Sequence, residues 1–223
     1  MLPRLVYYRS EFVGSNRGRL PDMRKFWIGS VAMTFLAVSV FYALAASAPA
    51  EEKQHMYVGT DKCMMCHKTE AQGSQYPIWQ KSGHAKAYEV LAGEAAKAAK
   101  AAGAKAGVAE PQKAAECLKC HVTAYGVDAK FLGEKYNMAQ GVGCETCHGP
   151  GGDYISMQTM KGLVSGTIEP ASVGMIKPTK DTCIACHNDK SPTFKGFDFD
   201  KMAAKIAHPI PAERKAQYKA PAK

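Results

Sequence analysis

The sequence contains no cysteine outside one recurring pattern, and it contains little histidine. All eight cysteines occur in pairs separated by two residues, and a histidine follows each pair directly, which uses four of the seven histidines. A disulfide framework does not need a histidine after every second cysteine, and zinc sites do not need one there either. The lack of a spare cysteine therefore argues against both of these uses of the thiols.

Long apolar runs are also scarce. The chain has 46% apolar and 22% charged residues, which excludes wholesale disorder. Its long apolar run extends from Phe26 to Ala45, between a basic start at 23–25 and small residues that end in Ala48-Pro49-Ala50. A basic start, an apolar middle and an A-x-A end are typical of a secretory signal peptide. We therefore expect a signal peptide over 23–50.

Two further expectations concern this N-terminal region. Residues 1–22 carry four arginines and no apolar period, so we expect them to be a non-native upstream extension. An apolar run of about 20 residues can also span a bilayer, so an uncleaved membrane anchor is the alternative. We expect membrane attachment only in that case.

The cysteine pattern is C-x-x-C-H, and it occurs four times. This spacing is the attachment signature of c-type haem. Two thiols can add to the two vinyl groups on one edge of a porphyrin, and the adjacent histidine then gives the iron its proximal nitrogen. The predicted attachment residues are Cys63, Cys66, Cys117, Cys120, Cys144, Cys147, Cys183 and Cys186, and the predicted proximal ligands are His67, His121, His148 and His187.

Four haem c groups leave little protein for each. Without the signal segment the chain has 223 − 50 = 173 residues, or about 173/4 = 43 per haem. Separate cores cannot be built from so few residues, so the porphyrins must form the core. We expect one tetrahaem domain over 51–223, mainly α, with short helices and long loops around four closely packed haems and little β structure. Because haem c is attached outside the cytoplasmic membrane, we expect a periplasmic or extracellular location.

Histidine is too scarce to ligate four irons on both sides. After the four proximal ligands, His55, His84 and His208 remain for four distal positions. At least one iron therefore lacks a distal histidine from its own chain. That iron is five-coordinate, takes a methionine, or takes a group from another molecule. Met157 and Met160 are the methionine candidates, although methionines at this distance from a motif more often serve packing.

The sequence around His84 favours a helix. Ser82 is a suitable N-cap, and the residues up to about 102 are rich in alanine, lysine and glutamate. His84 would lie in the first turn of this helix on its apolar face, so we expect it to be a distal ligand. The alanine and lysine stretch beyond Gly93 is expected to be a solvated arm.

His208 and His55 lie towards the two ends of the exported chain. A short helix that Asp198 or Asp200 can cap ends at His208, because the following proline disfavours helical geometry. We expect His208 to be a distal ligand. His55 precedes Cys63 by eight residues. It could ligate iron in its own chain or in a neighbouring chain, or it could be a plain surface histidine.

Several segments together resemble the tetrahaem cytochrome c554 family, electron carriers paired with hydroxylamine oxidation in ammonia oxidisers. The resemblance spans nearly the whole exported chain. It rests on K-C-x-x-C-H-K at 62–68, W and S-G-H-A-K-A within 79–87, C-H-V at 120–122, G-V-G-C-E-x-C-H-G-P-G at 141–151, and F-D-F-D-x-M at 197–202 leading to His208.

This resemblance implies a mainly helical fold with closely packed haem pairs. It implies distal roles for His84 and His208, and a five-coordinate haem on the motif that ends in His121. The family has a further distal histidine about ten residues after its third motif, where this chain has Gln158. A ligand could thus have moved to His55 in the N-terminal arm, as would suit filament-forming surface cytochromes.

Three functions follow from these patterns. We favour electron transfer between redox-partner proteins through stacked haems, without catalytic residues. One alternative is a subunit of an extracellular conductive filament in which His55 ligates a neighbour's haem. The other is a small nitrogen-oxide or hydroxylamine oxidoreductase at a five-coordinate haem, although no acid or base group for that chemistry can be identified.

The net positive charge does not indicate a nucleic-acid partner. The chain carries 29 − 20 = +9, of which residues 1–50 contribute 6 − 2 = +4, so the exported part carries +5. The propionates of each haem add about −2, and each ferric core restores about +1. The oxidised holoprotein is then close to neutral. We expect lysine patches to serve the docking of redox partners and expect no binding of nucleic acid.

Overall fold

The computed structural model describes residues 53–92, 96–208 and 210–218. The expected upstream extension at 1–22 and the signal segment at 23–50 lie outside the described residues. Within the described residues, no helix has the length and apolar character needed to cross a membrane.

The described chain consists of short helices joined by long loops. No strand forms in these residues, and one isolated bridge pairs Tyr57 with Leu132. The mainly α class with short helices and little β structure is therefore confirmed. The α-helices are α1 Thr60–His67, α2 Gln75–Gln80, α3 Ala96–Lys105, α4 Ala115–His121, α5 Cys144–His148, α6 Met157–Ser165, α7 Lys180–Ile184, α8 Phe199–Ile206 and α9 Ala212–Lys215. Short 3-10 turns occur at Glu70–Gln72, Glu89–Leu91, Ala129–Phe131, Met138–Gln140 and Pro170–Val173.

The C-x-x-C-H motifs are built on helical turns. Helices α1, α4 and α5 each end at the histidine of their motif. After α5 the chain leaves the helix through Gly149, whose φ of 80° is easily adopted only by glycine. The fourth motif starts in α7 and continues as turns, in which the His187 N–H donates to the Cys183 carbonyl at 2.9 Å. Each motif therefore presents its two cysteines and its histidine from a compact turn.

The segment around His84 differs from the helix expected there. Residues 81–88 form successive turns rather than the first part of a helix reaching 102, and a regular helix begins only at Ala96. The reason lies in long-range hydrogen bonds. The His84 carbonyl accepts from Val142 N–H at 3.0 Å, and the Ala87 carbonyl contacts His121 Nδ1 at 2.6 Å. These contacts use carbonyls that a continuous helix would need for its own ladder.

Helix α8, which precedes His208, agrees with the helix expected there. The Asp198 side chain accepts from Lys201 N–H at 3.1 Å and caps α8, whereas Asp200 lies in the first turn. The helix ends at Ile206, so His208 lies just beyond it. The capping residue and the exit at His208 are both confirmed.

The protein core of the described residues is small. Leu91, Leu118 and Val122 form one buried cluster, against which Tyr88 and Ala99 pack. The solvated arm is therefore anchored through Ala99 of α3. No side chain among the described residues falls below 2% relative exposure. A domain of this length would ordinarily have a larger apolar core, so other groups must fill the interior.

Candidate haem sites

The four motifs lie next to one another through their cysteines. None of the eight cysteines forms a disulfide. Hydrogen bonds between thiols join the first motif to the third, through Cys63 and Cys144, and the second to the fourth, through Cys120 and Cys186. Cys147 of the third motif lies near enough to Cys183 of the fourth for the two to interact electrostatically. The fold thus brings together cysteines that are 144 − 63 = 81 and 186 − 120 = 66 positions apart.

The cysteine contacts also affect protonation. The hydrogen bond with Cys144, together with burial, raises the pKa of Cys63. Burial, followed by the nearby Cys120, raises the pKa of Cys186 to about 12. The hydrogen bond between Cys63 and Cys144 lowers the pKa of Cys144, against the effect of its burial.

Two pairs of imidazole rings face each other across the site. The ring centroids of His84 and His187 lie 5.9 Å apart, and those of His148 and His208 lie 5.7 Å apart. A histidine nitrogen lies about 2 Å from a bound transition metal, so two rings on opposite sides of one ion have centroids about 6 Å apart. Both separations therefore fit two axial imidazoles that share one iron.

The protonation of these rings also suits metal binding. Burial lowers the pKa of His84, and the neighbouring His187 lowers it further. Burial likewise lowers the pKa of His148, with a further contribution from His208. A neutral imidazole has the free nitrogen lone pair that a metal ligand needs. The residues present therefore fit an iron porphyrin.

The other two proximal histidines have different surroundings. His121 Nδ1 lies 2.6 Å from the Ala87 carbonyl, an arrangement that fixes the ring and leaves Nε2 free to ligate. His67 interacts with the Gln75 side chain, and burial lowers its pKa. Among the ring contacts of the described residues, neither His67 nor His121 pairs with another histidine. His84 therefore lies beside the histidine of the fourth motif, and His208 lies beside the histidine of the third.

His55, in the segment before α1, packs against the loop that follows the third motif. Its Nδ1 is 2.9 Å from Asp153 Oδ2, and Lys53 pairs with the same carboxylate. The His55 side chain is only 12% exposed. Its ring fills the space beside Gly174, where a side chain on that residue would clash. These contacts join His55 to the loop after the third motif, and no ring contact among the described residues joins it to another histidine.

The methionine candidates lie on helix α6. Met157 is 68% exposed, and Gln158 is exposed beside it. Ser156 caps this helix by accepting from Thr159 N–H at 3.0 Å. The exposure of Met157 does not favour a role as an iron ligand in this structure, whereas Met160 is half-buried.

Several residues that support the site were missed from the sequence. Glu145, inside the third motif, accepts three backbone hydrogen bonds. Thr123 Oγ1 accepts from Gly143 N–H at 2.7 Å and ties the end of the second motif to the start of the third. Gln75 and Asp153 contact candidate ligands. Only Glu145 carried a signal, because a charged residue between two haem-attaching cysteines is expected to lie near the porphyrin.

The helical fold and the cysteine and histidine sites define a c-type cytochrome. The family model described as "Cytochrome c554 and c-prime" matches residues 62–149. The "Cytochrome c-554" of Nitrosomonas europaea is 32% identical over 177 residues, which cover 75% of this chain and 70% of that protein. No solved structure matches the chain. The chain belongs to the cytochrome c554 family, whose members are c-type cytochromes that bind haem c covalently and act in electron transfer.

Proposed function

We propose that the protein is an exported tetrahaem cytochrome that carries electrons between redox-partner proteins. The observation that carries this proposal is the convergence of four C-x-x-C-H motifs together with two pairs of facing imidazoles. Haem c supplies a one-electron iron couple when bound. The eight cysteines hold the four groups, and the four motif histidines are the proximal ligands.

The cysteine contacts support an order of neighbouring haem sites. The first motif adjoins the third, the third adjoins the fourth, and the fourth adjoins the second. Electrons would therefore enter and leave near the first and second motifs, at the two ends of this order. Such a series of haems needs no substrate pocket, because the protein's residues only position the haems and exclude water.

The test is to produce the protein in a bacterium with the haem c attachment machinery. Mass spectrometry should show four haems on each chain, and the reduced protein should show the α-band of c-type haem. Each Cys-to-Ala pair, such as C63A with C66A, should remove one haem. A wild-type chain that carries fewer than four haems would contradict the tetrahaem proposal.

A second candidate is completion of a haem by another copy of the chain. Its support is the lack of a histidine partner for His67 and His121 within the described chain. Asp153 also orients His55, as carboxylates often do for metal-ligating histidines. If His55 acts in a neighbouring chain, H55A should abolish self-association and convert one low-spin haem to high-spin. Unchanged spectra and particle size in electron microscopy would contradict this candidate.

The remaining candidate is an oxidoreductase at an open iron on the second motif. Electron paramagnetic resonance of the ferric protein tests it directly. A high-spin signal that shifts on addition of nitrite or hydroxylamine would support it. A wholly low-spin spectrum would exclude an open iron and leave electron transfer alone.

A further inference from the structure

Glu145 is a buried carboxylate at the centre of the described fold. Its relative exposure is only 3%. Its Oε1 accepts from the N–H groups of Val58 at 2.8 Å and Gly151 at 2.7 Å, and its Oε2 accepts from Gly59 N–H at 2.8 Å. These three backbone donors satisfy both oxygens of the carboxylate.

The position of Glu145 places this charge beside two of the four motifs. It lies between the cysteines of the third motif in the sequence. Its charge also acts on Cys63 of the first motif, where it helps to raise the pKa of that thiol. The same charge raises the pKa values of three surrounding tyrosines, Tyr57, Tyr136 and Tyr154, in addition to the effect of their burial.

No cation offsets this charge within the described chain. The ion pairs there involve the carboxylates of Asp153, Glu110 and Asp128, and none involves Glu145. The three N–H groups supply dipoles but no net positive charge. The Glu145 charge therefore remains uncompensated inside a poorly solvated region, where electrostatic effects are strongest.

We propose that Glu145 is a positioning and electrostatic residue that lowers the reduction potentials of the first and third haems relative to those of the second and fourth. This inference rests on the proposed function. A fixed negative charge stabilises the ferric state, which carries one more positive charge than the ferrous state. It thus lowers the potentials of the first and third haems below the values that their axial ligands alone would set.

The experiment compares the holoprotein with E145Q and E145D. E145Q removes the charge and keeps the size, and E145D keeps the charge. At an effective dielectric constant of about 20, removal of one nearby charge should change each one-electron equilibrium about tenfold, or about 59 mV. We expect this rise in E145Q at the first and third haems, and potentials close to wild type in E145D.

The matched control is E116Q. Glu116 is an exposed carboxylate directly before Cys117 of the second motif, so it has a similar place relative to a haem-attaching cysteine. Water screens an exposed charge, so E116Q should change the potentials much less than E145Q does. A redox titration followed by nuclear magnetic resonance resolves the individual haems. Each haem is identified by the contacts of its protons with the protons of its attachment residues.

A second variant keeps the test decisive if E145Q does not mature. V58K leaves the Glu145 carboxylate in place and brings an ammonium group near it, because Val58 is half-buried and donates to Oε1. V58K should raise the same two potentials. The proposal is overturned if these variants leave the potentials unchanged, raise all four equally, or if E145D has the same effect as E145Q.

The haem count separates this inference from the proposed function. If the wild-type chain carries fewer than four haems, the tetrahaem proposal fails before any potential is measured. If four haems are present and the first and third potentials do not respond, only the role of Glu145 is refuted.

Discussion

Replacement of Thr123 by valine tests whether hydrogen bonds rather than packing join the second and third motifs. Thr123 is 7% exposed. Its Oγ1 accepts from Gly143 N–H at 2.7 Å and lies 2.8 Å from Thr146 Oγ1 and 3.1 Å from the Gly141 carbonyl. Valine has the same shape, so T123V creates no cavity, but it leaves the buried Gly143 N–H without a partner.

The magnitude follows from this accounting. A buried donor left unpaired costs about 1–3 kcal/mol, and loss of the Thr146 contact adds about 0.5–1 kcal/mol. T123V should therefore lower the free energy of unfolding by about 1.5–4 kcal/mol. T123S keeps the hydroxyl and loses one methyl group, which costs about 1 kcal/mol. A view based only on packing gives the opposite order, because valine conserves volume and serine does not.

The assay is guanidinium chloride unfolding of the holoprotein, followed by far-ultraviolet circular dichroism. T193V is the control, because the exposed Thr193 hydroxyl contacts the Ser191 hydroxyl at 3.2 Å on the surface, and its effect should stay below about 0.5 kcal/mol. If T123V is as stable as T123S or more stable, the hydrogen-bonded link between the motifs does not contribute as argued.

The remaining predictions concern the backbone, a helix cap and a ligand. G141A should destabilise the folded protein by at least about 1–2 kcal/mol, because the φ of Gly141 is 69° and the new Cβ would approach the His84 carbonyl oxygen at 2.7 Å. The control is G83A, whose new Cβ meets no atom within 4 Å. G83A should change the midpoint of thermal unfolding little. D198A should cost about 1 kcal/mol through loss of the α8 cap, as measured by denaturant unfolding, and D198N should recover most of it. H84A should add one high-spin haem signal while the haem count stays at four, and an unchanged spectrum would exclude His84 as a ligand.

The fold class could be predicted because it depends on composition and spacing. Four cysteine-histidine motifs in a short chain leave no room for a large protein core, and the structure has only a small one. The α8 helix could be predicted in detail, because its cap at Asp198 and its exit before Pro209 are local features.

The segment around His84 could not be predicted in the same way. Its residues favour a helix, yet tertiary hydrogen bonds to Val142 and His121 hold it as a series of turns. Propensity is a weak preference that a few such bonds outweigh. The expected ligand role of His84 does not depend on the helix, because the turns also bring its ring to His187. The prediction of a helix at His84 was thus wrong, although the His84 side chain still lies where an iron ligand would be needed.

The residues that support the haem sites could not be predicted from the sequence for a related reason. The contacts of Glu145 with Val58 and Gly59 span more than 80 positions, and periodicity carries no information on such pairs. The same holds for Thr123 with Gly143 and His55 with Asp153. These are long-range polar contacts that depend on how the motifs assemble.

The distribution of histidines has a consequence for electron flow. His84 and His208 lie beside the histidines of the fourth and third motifs, which are the middle two in the proposed order of haem sites. The motifs without a histidine partner, ending in His67 and His121, are then the two ends of that order. Two strong imidazole ligands stabilise ferric haem, and an open or weaker distal position does not do so equally. The haem sites of the first and second motifs, where the proposed electron exchange with partners takes place, would therefore be the sites whose axial ligation can still change. The new ligand would be solvent, a small molecule or a group from a neighbouring copy.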